Sequence, residues 1–313
     1  MRDTLVIVNE HAGGGQMADT FRRLEHPLQD AIGIFDIAFT DGPGHAIELT
    51  RNALAAGGRK RIIAGGGDGT LNEVVNGFFD PQTLAPLAPD VAFAVLAGGT
   101  GGDFRKTIRV SGPDATLAAL RGGKTMAIDV GLVTARDERG GPDLKRFFLN
   151  IASFGLSGRA DRIIPEFKAL GGKLGYFAAM AKALWGWRNP RVRLTIDGEP
   201  LPPQPINTVA VGNGRYFGGG MMVCPDARLD SGVLDVTVLG DFTRLESVLQ
   251  TRAIYSGDHV YHPKVKTRRG KDIVATVDDG ESDTVALDID GEAIGLLPAR
   301  FEVRPAALKL IVP

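Results

Sequence analysis

Arg61-Ile-Ile-Ala-Gly-Gly-Gly-Asp-Gly-Thr-Leu-Asn-Glu-Val-Val75 is the segment whose residue types and spacing point most directly to chemistry. Its apolar start reads as a buried strand. The three glycines that follow let the backbone turn sharply and approach a ligand, and a helix from about Leu71 aims its free amides at the same point. Such a nest of N–H groups favours concentrated negative charge, so phosphate is its natural guest. Asp68 would repel a phosphate unless a cation intervened, which calls for Mg2+. The plainer alternative is a turn with Asp68 as helix N-cap, but three glycines are a costly way to build one.

Leu96-Ala-Gly-Gly-Thr-Gly-Gly-Asp-Phe104 repeats the pattern at the next strand end, with Thr100 as a hydroxyl donor and Asp103 as a second acid. Asp129, in Ala127-Ile-Asp-Val-Gly131, is a third. Carboxylates from three strand ends suit a magnesium and water network better than a site of protein groups alone. Other motifs fall away. Gly13-Gly-Gly-Gln-Met-Ala18 has the letters of a dinucleotide fingerprint, but Gly13 comes several residues after its strand and Asp36 sits inside an apolar run. Gly122-Gly-Lys-Thr125 ends like a P-loop, yet Ala118 holds the place of the first glycine. His11, His26 and His45 are scattered, and His259 with His262 has no carboxylate at ligand spacing, so the histidines are expected as surface or capping groups. Cys224 lacks a nucleophile signature and reads as a small buried hydrophobe. No G-x-S-x-G elbow occurs, which disfavours acyl transfer.

The elements that must position these loops alternate in period. Leu5–Val8, Ile32–Phe39, Arg61–Ala64 and Val91–Ala97 read as strands, while Met17–Leu28, His45–Ala56, Leu71–Phe79 and Pro113–Leu120 carry helical spacing. That order implies a parallel sheet covered on both faces, with the loops after Val8, Ala64 and Ala97 on one ligand-binding edge. Beyond about residue 130 short β-type runs separated by turn signals suggest a sandwich or barrel: Phe147–Ile151, Val192–Ile196, Thr208–Val211, Val233–Leu239, Ile273–Val277 and Val285–Ile289. Helical stretches are expected at Ala160–Ala169, Lys173–Trp187 and Thr243–Thr251.

Composition bounds the partners. Of 313 residues 43% are hydrophobic and 23% charged, an ordinary globular balance, whereas 42 glycines are about twice the usual ~7% share. A net charge of −1 argues against a surface that grips nucleic acid. The single cysteine suits a reducing, cytoplasmic compartment. No charge-free stretch reaches the roughly 18 residues of a spanning helix, so no transmembrane segment is expected and the protein would at most lie at the inner face of a membrane. Two segments are candidates for that contact. Lys173–Arg188, followed by Arg191 and Arg193, mixes aromatic and basic residues, although a helix packed on the β domain is an equal reading. Lys264, Lys266, Arg268, Arg269 and Lys271 form a second basic cluster or a solvated strand edge. A homodimer is compatible with the sequence.

Several motifs together resemble the diacylglycerol kinase catalytic family, which includes sphingosine and ceramide kinases and the bacterial YegS-type lipid kinases. Asn9 stands where the N-P-x-x-G opening begins, Thr40 with Gly44-His-Ala46 matches T-x-x-x-G-H-A, and Gly66-Gly-Asp-Gly-Thr70 with Glu73 matches G-G-D-G-T. Gly99-Thr-Gly-Gly-Asp-Phe104 is similar to G-T-x-N-D-F, Cys224-Pro-Asp-Ala-Arg-Leu-Asp-Ser-Gly232 to P-x-A-x-x-x-D-G, and Asp290-Gly-Glu292 to D-G-E. The matches run in order from residue 9 to residue 292. G-G-D-G-T alone is shared with NAD kinases.

The resemblance implies a Rossmann-like, NAD-kinase-like α/β domain over residues 1–130, completed by 300–313, and a β-sandwich lipid-substrate domain over 131–299. It implies ATP held by Asn9, Thr40, Gly66, Gly67, Asp68, Gly69, Thr70, Leu71, Asn72, Glu73 and Thr100, with Mg2+ near Asp68, Asp103 and Asp129. Glu292 inherits the role of proton acceptor, with Asp290 beside it. The structural cation of YegS-type relatives maps to Arg228, Ser231 and Val233, where the serine replaces an acid. Glu10 and Gly102 depart from the family's proline and asparagine. The implied activity is transfer of the ATP γ-phosphate to a lipid hydroxyl such as that of diacylglycerol. An NAD kinase, or a nucleotide- or lipid-binding module without catalysis, are the alternatives.

Overall fold

Apolar runs of five residues make the first strands. A computed structural model describes residues 2–98, 102–170, 172–278 and 284–313, so Thr100 and its two neighbours lie outside the described residues. The chain divides into two units, Met1–Val130 with Arg304–Pro313, and Gly131–Val303.

In the first unit β1 (Thr4–Val8), β3 (Arg61–Gly65) and β4 (Ala92–Leu96) are buried almost throughout, as central parallel strands must be, whereas β2 (Asp36–Phe39) alternates and lies at the edge. Helices α1 (Gln16–Ile32), α2 (His45–Ala55), α3 (Asp68–Gly77), α4 (Asp103–Thr107) and α5 (Pro113–Gly122) supply the connections. The sheet reads β2-β1-β3-β4 and is closed beyond β4 by the end of β16 (Leu296–Ile311), all parallel. Successive connections leave β1 in opposite directions, so the topological switch point falls between β1 and β3. The strand expected from Ile32 begins only at Asp36, because α1 runs to Ile32 and stops at Gly33, whose positive φ of 78° suits glycine.

β5 (Thr125–Arg136) carries the chain into the second unit. There follow β6 (Leu144–Phe148), β7 (Ile151–Gly155), α6 (Leu156–Ile163), a 3-10 turn Ile164–Leu170, α7 (Gly172–Leu184), β8 (Arg191–Ile196), β9 (Glu199–Pro200), β10 (Gln204–Pro205), β11 (Thr208–Gly212) and β12 (Leu234–Leu239). Then come α8 (Arg244–Leu249), α9 (Thr251–Ser256), β13 (Val265–Gly270), β14 (Asp272–Val277) and β15 (Leu287–Ile289), before β16 returns the chain to the first unit. One antiparallel sheet has the order β13-β12-β11-β7-β15, and β10-β8-β14-β16 forms the other face. Between them lies a core that includes Phe148, Phe154, Leu194, Val236, Ile273 and Phe301. Phe154 stacks on Phe301 with centroids 6.0 Å apart.

Cys224 is buried as expected, and burial pushes its thiol up to about 12, which leaves it inert. His259 differs from the expectation of a surface group. It is fully buried, with Nε2 3.1 Å from the Val223 carbonyl, and burial lowers its pKa, so it serves as a neutral core residue. His45 instead ties the turn that leads into α2, its Nδ1 accepting from Asp41 N at 2.9 Å.

Candidate active site

The nucleotide-type loops meet at the switch point. Asn9 follows β1, and Gly66–Thr70 follow β3 and open α3. Asn9 N donates to the Gly65 carbonyl (2.8 Å) and Asn9 Nδ2 to Thr70 Oγ1 (3.0 Å), so one side chain spans the two strand ends. Thr40, after β2, donates its N–H to the Val8 carbonyl at 3.0 Å. Gly66 is required by closeness: a Cβ there would lie 2.4 Å from Thr70 Oγ1. Asp68 is the first residue of α3 and Gly67 its N-cap, so the glycine run delivers the backbone straight to the helix's unbonded amides.

Leu71, Asn72 and Glu73 are buried, and their side chains serve the scaffold. Glu73 accepts from Gly44 N (2.7 Å) and Ala46 N (3.1 Å), binding α3 to the start of α2 and hence the Gly-Asp-Gly-Thr loop to the Gly44-His-Ala46 motif. A carboxylate at a helix N-terminus satisfies amides that have no intrahelical partner.

Asp68 and Asp103 are brought together. Asp68 Oδ2 accepts from Asp103 N at 2.8 Å and Oδ1 from Phe104 N at 3.2 Å, so the first acid caps the helix that begins with the second. Lys106 Nζ lies 2.9 Å from Asp103 Oδ1. Arg105 packs against Gly102, where a Cβ would lie 2.5 Å from its Nε. Burial pulls the Arg105 guanidinium down from its ordinary value while the charges of Asp68 and Asp103 push it up. Asp129 is engaged otherwise, its Oδ1 accepting from Ala306 N at 2.9 Å and tying β5 to the C-terminal strand. Among the described residues no three acids or histidines form a group able to hold a metal.

In the second unit the Asp290-Gly-Glu292 motif is a two-residue hairpin turn. Ile289 and Glu292 exchange backbone hydrogen bonds (2.9 and 3.0 Å), and Asp290 (φ 50°) and Gly291 (φ 86°) both adopt the left-handed conformation that such a turn needs. A hairpin with solvated acids is the ordinary reading of such a motif, but here Asp290 is buried. Its Oδ2 accepts from Leu149 N (2.8 Å) and its Oδ1 from Asn150 N (3.0 Å) and Ile151 N (2.9 Å). This capture explains why the run expected as one strand over Phe147–Ile151 is two strands with a break at Leu149–Asn150. Glu292 stays partly exposed and pairs with Arg146 Nη2 at 3.0 Å.

Two further acids stand behind the turn. Asp288 of β15 accepts from Gly291 N (2.8 Å) and Ser153 Oγ (3.1 Å), and it is hydrogen-bonded to Asp161 of α6. Gly158 lets that helix approach, since a Cβ there would fall 2.2 Å from the Ala286 carbonyl. Arg162 donates to the Leu287 and Gly295 carbonyls, each at 3.0 Å, fastening α6 to both sides of the turn. Two carboxyl groups can be hydrogen-bonded only if they share a proton. Burial raises Asp161 to about 6 and, with the charges of Asp161 and Asp290 added, raises Asp288 well above the ordinary carboxylate range. Both are raised relative to an unfolded value near 3.9, so this stabilisation is complete below about pH 4 and is lost as pH rises through 6 and beyond. Asp161→Asn keeps a hydrogen bond to Asp288 without the second charge. Thermal unfolding should therefore show a higher midpoint than the parent at pH 8 and no gain at pH 4; equal shifts at both pH values would rule out the shared proton.

Ser231 Oγ lies 3.1 Å from the Arg228 carbonyl and 2.9 Å from the Val233 carbonyl, so the three groups that resemblance assigns to a cation converge, and the hydroxyl proton serves one of those carbonyls. The basic run Lys264–Lys271 includes edge strand β13. Lys264 pairs with Glu246 and Arg269 with Asp235, which spends part of its charge locally. Trp187 is held by Asn189 and lies beneath Arg159, whereas Trp185 is exposed. No helix among the described residues is long and apolar enough to cross a membrane. Sequence reasoning missed Arg146, Ser153, Asp161 and Asp288. The polar Asn150 inside an otherwise apolar run was the available signal that the strand ends there.

Residues 3–133 match the family described as the diacylglycerol kinase catalytic domain, and residues 150–312 match the YegS C-terminal NAD kinase beta sandwich-like domain. A Pseudomonas putida protein named "Probable lipid kinase YegS-like" is 29% identical over 304 residues, covering 96% of this chain and 93% of its own. A Mycobacterium tuberculosis diacylglycerol kinase is 26% identical over 293 residues, covering 93% of this chain and 87% of its own. The crystal structure of a Bacillus anthracis diacylglycerol kinase superposes with a TM-score of 0.74 at 25% identity, over 100% of this chain and 97% of that one.

Proposed function

The chain belongs to the diacylglycerol kinase catalytic family, and from that premise we propose that it transfers the γ-phosphoryl group of ATP to a hydroxyl of a glycerolipid of the diacylglycerol class. The observation that carries the nucleotide half is the glycine run Gly65–Gly67 feeding the start of α3 at the β1/β3 switch point, with Asn9 bonded to Thr70 across it. Backbone amides of Gly67 to Thr70 would hold phosphate oxygens, and the Thr40 backbone would border the nucleotide.

Asp68 and Asp103 would hold a magnesium ion that arrives with the nucleotide: the Asp68 carboxylate accepts from the Asp103 backbone N–H, which keeps the two acids together, and Mg2+ uses one or two carboxylates besides phosphate oxygens and water. When bound, the ion would neutralise charge on the transferring phosphoryl group. Asp129 supports this only indirectly, by anchoring the strand that closes the sheet.

In the transfer the lipid hydroxyl oxygen bonds to the γ-phosphorus as the bond to the β–γ bridging oxygen breaks, leaving ADP. Glu292 takes the hydroxyl proton. Its carboxylate is partly exposed and oriented by Arg146, while both Asp290 oxygens are already occupied by three backbone donors. Asp290 is thus a positioning residue that fixes the turn presenting Glu292.

Labelled ATP, incubated with the protein and separately with diacylglycerol, monoacylglycerol, phosphatidylglycerol, sphingosine and NAD, should label a glycerolipid. Formation of NADP without lipid would overturn the reading in favour of an NAD kinase. Nucleotide binding with no transfer to any acceptor would overturn it in favour of a binding module.

A further inference from the structure

In the segment from Arg244 to Ser256, α8 folds with its apolar side outward, while Ile254 of α9 is buried in the core. Gln250 N donates to the Glu246 carbonyl (2.8 Å) and Ile254 N to the Gln250 carbonyl (2.9 Å), so α8 and α9 run on as nearly one helix. Leu245, Val248 and Leu249, spaced i, i+3, i+4 on one face, are 68%, 58% and 65% exposed. Glu246, Ser247, Gln250 and Thr251 turn toward the protein. Glu246 closes a capping box with Thr243 and binds Lys264 at 2.7 Å, and Ser247 Oγ donates to the Thr243 carbonyl at 3.0 Å. A helix that folded only to stabilise its own domain would carry the opposite pattern. Single exposed leucines are ordinary, but a contiguous apolar face over an inward polar one marks a contact surface.

The charges around this face are predominantly positive. Arg244 and Arg252 are exposed beside the three apolar residues, and among the described residues neither has an ion-pair partner. Across a groove of about 280 Å3 bordered by Leu184, Trp187, Arg188, Asp241, Phe242 and Arg244, the chain just beyond α7 presents Arg188, without an ion-pair partner among the described residues, and Trp185, 80% exposed. Asp241 is the acid of this groove and accepts from Asn189 Nδ2 at 2.8 Å. Aliphatic residues flanked by arginines and an indole form the arrangement that seats at the headgroup boundary of an anionic bilayer. A second copy of the chain fits less well. A two-fold contact sets the patch against itself, so that three arginines face three, and three aliphatic side chains fall short of the ~800 Å2 per partner of a stable interface.

We propose that the outward face of the α8–α9 segment, with Trp185 and Arg188 beside it, is the surface by which this protein docks on an anionic membrane. The inference deepens the lipid-kinase reading but is measured apart from it, since vesicle binding is read without nucleotide. The test is co-sedimentation with phosphatidylglycerol/phosphatidylcholine vesicles and with phosphatidylcholine alone, for the full chain and for L245E/V248E/L249E. The parent should bind the anionic vesicles preferentially. The triple variant should bind them at least about tenfold more weakly, with an unchanged unfolding midpoint and unchanged turnover on detergent-dispersed short-chain diacylglycerol. Arg244→Gln and Arg252→Gln should each cost about fivefold, and only at low salt. L245S/V248S/L249S provides the same comparison should the glutamates impair folding. Undiminished vesicle binding by either triple variant, or none by the parent, overturns the proposal. A parent dimer that the substitutions dissociate, without vesicle binding, assigns the face to a second copy instead. Vesicle binding without phosphorylation of any lipid leaves the docking surface standing and removes the kinase reading.

Discussion

Glu292→Gln lowers lipid phosphorylation by about 10²–10⁴-fold, the usual contribution of a positioned general base, while leaving ATP affinity at the parent's value. The glutamine can still accept from Arg146, so the 3.0 Å contact and the side chain's aim persist and only the proton-accepting charge is lost. Nucleotide affinity by titration calorimetry and single-turnover transfer from labelled ATP separate the two effects. Full turnover in the variant would remove Glu292 from the chemistry. A parallel loss of ATP affinity would instead mean that the substitution disturbs the nucleotide half, which lies in the other unit.

The second large effect is on stability. In Asp290→Ala three buried N–H groups, those of Leu149, Asn150 and Ile151, lose their acceptor together. Each unsatisfied buried group costs about 1–3 kcal/mol, so the expected loss is about 3 kcal/mol or more, a large share of a domain's usual ~5–15 kcal/mol. Asp290→Asn retains one carbonyl oxygen for Asn150 and Ile151 but turns an NH2 toward Leu149 N, so it should fall between the parent and the alanine variant. Denaturant unfolding checks the order. Were Asp290→Ala to unfold like the parent yet lose all turnover, Asp290 would act on the reacting atoms and not on the turn.

Local sequence made the first unit legible. Strand, glycine run and helix follow one another within Arg61–Val75, and the apolar runs of β1, β3 and β4 need no distant partner to be recognised. The parallel order placed Asn9 and the Gly-Asp-Gly-Thr loop on one edge, as found. The second unit was harder because its decisive contacts join residues far apart in sequence. Asp290 reaches back to Leu149–Ile151, and that long-range capture, invisible to periodicity, splits an apparently single strand. Alternation over Val285–Ile289 gave Asp288 no reason to be buried; only the close approach of α6 through Gly158 covers it. The prolines at 298 and 305 hid β16 from a strand search, although both lie within its span. Lys264–Lys271 presented a charge pattern without its partners, so its ion pairs with Glu246 and Asp235 could not be foreseen.

The strand that completes the first sheet comes from residues 304–313, pairing Lys309 and Leu310 with Ala92 and Phe93. During synthesis β4 is therefore made more than two hundred residues before its outer neighbour, and the whole second unit emerges in the interval. A nascent chain in this state leaves the apolar edge of β4 without its outer partner, a template for edge-to-edge aggregation. The nesting also makes folding of the first unit wait on a contact of very high sequence separation, which slows it. Production of this protein should thus depend on chaperone capacity more than its ordinary composition suggests, and its first 130 residues are a poor choice of autonomous fragment.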